Sequence, residues 1–127
     1  MKMLYVLLFG VLVQTLGCGM STPRMLQSVT VSPATADAKD FPSGQVQFTA
    51  TGIFNKPPTR VTPLPACSMS SGIEACITAW SAFPPTVATI DQNGLAQCVA
   101  GQSQSTKIEI ALAGDGPLMT VATLTCP

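Results

Sequence analysis

Five cysteines, at positions 18, 67, 76, 98 and 126 of this 127-residue chain, are the residues best suited to covalent chemistry, and no histidine accompanies them. A zinc thiolate site wants ligands in short pairs, usually with histidine. Cys67 and Cys76 are too widely spaced for such a pair, so neither a metal nor another cofactor is expected. Nucleophilic catalysis needs a base beside the nucleophile, and without histidine no Ser-His-Asp or Cys-His arrangement can form. The carboxylates of Asp37, Asp40, Glu74, Asp91, Glu109 and Asp115 remain. Asp91 and Asp115 fall in turn motifs and Glu109 on the outward side of a strand pattern, where solvated surface roles are the expectation. Asp37 with Asp40 is the densest acidic cluster, thin beside the six or more oxygens calcium requires. The chain therefore reads as a non-enzyme whose thiols are oxidised: four cysteines for two disulfides, and one left over.

The odd cysteine is Cys18. Before it, Met3 to Val13 is uncharged and apolar, preceded by Lys2 and followed by Leu16-Gly17, the layout of a secretory signal. Gln14 and Thr15 interrupt the apolar run after eleven residues, well short of the roughly 20 that span a bilayer. Residues 1–17 therefore read as a signal peptide. The residues before Cys18 also resemble the lipobox of bacterial lipoproteins, although Thr15 stands where that motif has leucine and Leu16 where it has a small residue. The resemblance implies a lipid on Cys18, and with it a membrane attachment. Gly19 follows the cysteine, whereas lipoproteins kept at the inner membrane often carry aspartate there. An outer-membrane or cell-surface location is thus implied, with a periplasmic or secreted product if Cys18 stays bare.

The remaining 110 residues are one domain's worth. Five basic residues face six acidic ones after Lys2 is lost, without a basic patch to track a phosphate backbone, so nucleic acid is a poor partner. Thr, Ser, Val, Ala, Gly and Pro dominate, which suits short strands and turns. After a tether over 18–25, strands are expected at 26–32, 45–54, 77–81, 86–90, 95–100, 106–112 and 118–126. In the second, Val46, Phe48 and Ala50 alternate with Gln45, Gln47 and Thr49, so Phe48 should be core. Asp91-Gln92-Asn93-Gly94 marks a hairpin, and Gly114 to Pro117 a second turn. Between the strands at 45–54 and 77–81 lies a Pro-rich connection at 55–76, where Pro57, Pro58, Pro63 and Pro65 exclude a central strand. The result is an all-β domain of about seven antiparallel strands, the number in an immunoglobulin-like two-sheet sandwich.

Four cysteines allow three pairings. The strand faces favour one of them. Cys126 shares a face with Leu124 and Ala122, and Cys98 with Ala96 and Ala100, so Cys98–Cys126 would cross the core. Cys67–Cys76 would then staple the Pro-rich connection.

The stretches LQSVTVSPA (26–34), GQVQFTATGIF (44–54) and WSAFPPTVATIDQNGLAQCVAG (80–101), with the closing ATLT (122–125), are similar in order and spacing to the bacterial immunoglobulin-like domain, group 2. The similarity covers nearly all of 26–126, except that the 55–76 insertion is longer and adds a cysteine pair. It implies a β-sandwich module of surface and secreted bacterial proteins, serving in adhesion, spacing or protein–protein contact. An envelope protein or a glycan is the partner to expect. The loop residues Val61, Leu64, Met69 and Ile73 are the candidate contact surface, because a rigid scaffold commonly presents recognition on its loops. The alternative is a carbohydrate-binding module. That reading needs exposed aromatics, and the mature chain holds only Phe41, Phe48, Phe54, Trp80 and Phe83. Trp80 is expected in the core, as in other sandwiches.

Overall fold

The computed structural model describes residues 19, 21–68, 75–113 and 120–127. Cys18, Met69, Ile73, Glu74, Asp115 and the turn at 114–117 lie outside the described residues. The fold is all-β. Ten strands occur among the described residues: β1 (Leu26–Ser32), β2 (Thr35–Asp37), β3 (Gln45–Gln47), β4 (Thr49–Phe54), β5 (Arg60–Val61), β6 (Cys76–Phe83), β7 (Ala88–Ile90), β8 (Leu95–Cys98), β9 (Ser105–Ala113) and β10 (Val121–Thr125). They form three sheets, ordered β1-β4-β5, β2-β10-β9-β6 and β3-β8-β7. All pairs are antiparallel except β2 with β10, which run parallel.

The strand count exceeds the seven expected for identifiable reasons. The run 45–54 is extended throughout but changes partner at Phe48, as strands do where sheets meet at a corner. Val46 faces Ala96 on β8, whereas Ala50 faces Val31 on β1. At the crossing, the Phe48 amide donates to the Gly94 carbonyl at 2.8 Å. Beyond Pro33, where a loop was expected, Thr35–Asp37 adds to the edge of the second sheet as β2. Inside the Pro-rich connection the two residues of β5 pair at a sheet edge, where missing amide donors are tolerated.

The inner faces of the three sheets share one core containing Val29, Val31, Val46, Phe48, Ala50, Ile108, Ile110, Ala122 and Leu124. Alternation explains the selection: along β9, Thr106, Ile108 and Ile110 are buried while Ser105 and Lys107 are exposed. Many of the core positions are alanine, so Phe48, with no exposed surface, is its largest fully buried side chain. A disulfide joins Cys98 at the end of β8 to Cys126 just after β10, with Cα atoms 5.7 Å apart, tying the third sheet to the second. The second joins Cys67 to Cys76 across nine residues. These are the two pairings that the strand faces favoured.

The segment expected as a tether over 18–25 is partly folded onto the domain. Asn55 accepts at Oδ1 from the Met25 amide (2.8 Å) and returns its own amide to the Met25 carbonyl (3.1 Å). Arg24 places its guanidinium 3.8 Å over the Phe54 ring, a cation–π contact, and donates from Nε to the Lys56 carbonyl and from its terminal nitrogen to that of Pro58. Lys56 donates to the Thr22 carbonyl. From Thr22 onward the chain is held.

Candidate functional site

The site begins with a bulge. In β6 the register against β9 shifts between Ile77 and Ala79, so Thr78 and Ala79 are both exposed. The shift returns Trp80 and Ala82 to the inward side with Ile77. Ala82 is buried, but Trp80 is only half-buried, because β6 is the last strand of its sheet and the sandwich opens beside it. The expectation that Trp80 is a core residue is corrected accordingly. Its ring packs against the core and its remaining surface lines a cleft.

One wall of that cleft is the Pro-rich connection. The Leu64 amide donates to the Ala50 carbonyl at 2.8 Å. Ile77 donates to Pro65 at 2.8 Å and accepts from Cys67 at 2.9 Å, with a bridge between Ala66 and Ile77. Residues 64–67 thus cross from the first sheet to the edge of the second as a strap, and the Cys67–Cys76 bond pins its end. Repeated prolines keep such a segment extended while supplying few donors, so carbonyls and the remaining amides make the attachments.

The opposite wall is the β7–β8 hairpin. Asp91 Oδ1 accepts from the Asn93 and Leu95 amides at 2.8 and 2.9 Å, and Gly94 donates to the Asp91 carbonyl at 3.1 Å. Of the pair Asn93-Gly94, only Gly94 has positive φ (+82°), so this is a three-residue loop closed by a left-handed glycine instead of the two-residue turn the dipeptide suggests. A Cβ at Gly94 would stand 2.4 Å from the Phe48 carbonyl oxygen and 3.1 Å from Trp80 Cζ2. The glycine therefore permits both the strand crossing and the seat of the indole.

Between the walls lies a cleft of about 440 Å³, lined by residues of three regions: Gln47 to Ala50 at the crossing, Pro63 to Ala66 of the strap, and Ile77, Trp80, Gln92 and Asn93. A second cleft of about 140 Å³ shares Trp80 and Gln92 with the first and is also lined by Cys67 and Thr78. Among the described residues, no charged side chain lines either space. Gln47 Nε2 is committed to the Phe48 and Asn93 carbonyls (2.9 and 2.7 Å) and locks the turn to the crossing. The chain matches no family model and no curated protein.

The expected contact residues fare differently. Leu64 is 3% exposed and packs into the core beneath the strap, so it forms the floor of the cleft and presents no free surface. Val61 is half-buried against the same core. Met69 and Ile73 lie outside the described residues.

Two of the carboxylates, Asp37 and Asp91, are engaged in turns. Asp37 Oδ2 pairs with Lys39 Nζ at 3.0 Å, and its Oδ1 accepts from the Lys39 amide at 3.1 Å, capping a short 3-10 turn. The side-chain hydrogen bond from Lys39, then the backbone one, holds the Asp37 carboxyl below its ordinary range, while Asp37 raises Lys39. No group of three or more His, Cys, Asp or Glu side chains that could hold a metal occurs among the described residues. What sequence reasoning missed was the cleft. The one available signal was Ala79 preceding Trp80, a pair of positions that breaks strict alternation with Ile77.

Proposed function

We propose that this chain is a non-enzymatic, lipid-anchored envelope protein whose immunoglobulin-like sandwich serves in adhesion, spacing or protein contact at the outer membrane or cell surface. The observation that carries the reading is the pairing of cysteines. Cys67, Cys76, Cys98 and Cys126 are consumed in two bridges, which belong to an oxidising compartment and leave Cys18 outside both. Its place behind a short apolar run suits lipid attachment. The anchor in this reading is covalent, through Cys18; no helix among the described residues is long and apolar enough to cross a membrane. Short alternating strands, an inter-sheet disulfide and a shared core support the immunoglobulin-like reading. The absence of histidine from the sequence, and the structural use of Asp37 and Asp91, support a role without catalysis. Intact-mass analysis of the membrane fraction tests the proposal. A mature chain beginning at Cys18 with a diacyl or triacyl addition is expected; a soluble, unmodified product starting elsewhere would overturn it.

A further inference from the structure

We propose that the Trp80 cleft is a binding site for a neutral saccharide. The inference is independent of lipid attachment and concerns a surface that a spacer module has no need to keep open.

Three observations carry it. First, the only tryptophan in the chain is half-buried and lines two neighbouring clefts. An indole that keeps part of its face wet can receive the C–H face of a sugar ring, burying apolar surface on an amphipathic ring. Second, two neutral amide side chains stand at the rim beside the indole. The side-chain amides of Gln92 and Asn93 are exposed and make no hydrogen bond within the described residues. Each offers both donors and an acceptor, which matches the dual character of vicinal hydroxyls. They stand on a turn fixed by Asp91, Gly94 and Gln47, so their backbone positions are set before a ligand arrives. Third, none of the described residues that line the clefts is charged. Among them a phosphate, an acidic sugar or a basic peptide would find no counter-ion. The main volume, about 440 Å³, falls in the range of small-ligand sites.

A proline-rich peptide is the nearest competitor, because it too docks on aromatic rings. Such grooves are lined by several aromatics. Here the second aromatic at the cleft, Phe48, has no exposed surface, and a lone indole flanked by amides fits a ring bearing hydroxyls better.

The test uses the exported, disulfide-intact protein. Titration with cellotetraose and chitotetraose should shift the emission of Trp80, the sole reporter, saturably. Calorimetry should then find binding weakened about 5–10-fold in Gln92→Ala, the loss of one hydrogen bond. This exposed turn variant should melt as the parent does. Trp80→Ala should abolish binding, while Trp80→Phe should retain part of it. An unchanged emission spectrum at tens of millimolar of both sugars, equal binding by Trp80→Ala, or saturation by a polyproline peptide in place of either sugar would each overturn the assignment.

Discussion

The hairpin around Asp91 to Gly94 and the strap around Pro63 to Cys67 face each other across the same cleft, yet they are held in opposite ways. The hairpin is shaped locally, by a carboxylate that caps two amides of its own turn and a glycine that supplies the one left-handed residue. Gln47 and Phe48 then tie the finished turn to the crossing. The strap is fixed from outside, by hydrogen bonds to Ala50 and Ile77 and by a disulfide to Cys76. A local device is written in adjacent residues. A remote one depends on where the rest of the chain goes. One consequence is that damage to the hairpin should spread through the sheets it joins, whereas damage to the strap should stay at the cleft.

The strongest challenge to this contrast is removal of the disulfide that ties the hairpin's β8 to the core. Replacing both Cys98 and Cys126 by alanine releases a loop closed over 28 residues and should cost about 3–4 kcal/mol in urea denaturation. Amide exchange should accelerate in both β8 and β10. Gly94→Ala comes next, at about 2–3 kcal/mol, since the new methyl would stand 2.4 Å from a backbone oxygen at a positive φ. The loss should appear as faster exchange at the Phe48 amide, which donates to Gly94. Removing Cys67 and Cys76 together releases only nine residues and should cost about 2.5 kcal/mol. Exchange should rise at Leu64 and Cys67 and remain unchanged along β9. If β9 opened as well, the strap would be an integral part of the sandwich, and the contrast would fail.

The smallest effect belongs to neither region and serves as a control. Because Lys39 lowers the Asp37 pKa, the pair's contribution is present above the ordinary carboxylate range and disappears as pH falls through the lowered value. Because Asp37 raises Lys39, the same contribution is present below the ordinary lysine range and is lost as alkaline pH passes the raised value. Lys39→Ala should remove a slight acid-side decline in stability without altering either side of the cleft, as followed by denaturation across pH 3–6.

The fold class, the strand centres and both disulfides were legible in the sequence, because a period of two residues assigns faces without knowing the partner strand. Phe48 and the Ala122–Leu124–Cys126 face follow from that alone. What alternation cannot reveal is a change of partner. Residues 45–54 read as one strand since the backbone stays extended, and only the opposing residues, Ala96 on one side and Val31 on the other, expose the crossing. Trp80 was illegible for a related reason: a bulge resets the period, and an edge strand buries its inward face incompletely. The Leu64 side chain looked like an exposed loop anchor because prolines surround it, yet the Ala50 hydrogen bond turns it inward.

The clamp of Thr22 to Met25 on the Phe54–Pro58 turn carries a mechanical consequence. Were a lipid carried by Cys18, only three residues would separate it from the held Thr22, a reach of about 14 Å at full stretch. The Phe54–Pro58 end would be obliged to ride just above the headgroups. Such a molecule would stand on its membrane like a short post, with little freedom to swing, and neighbours of similar height would compete with it for whatever approaches from outside.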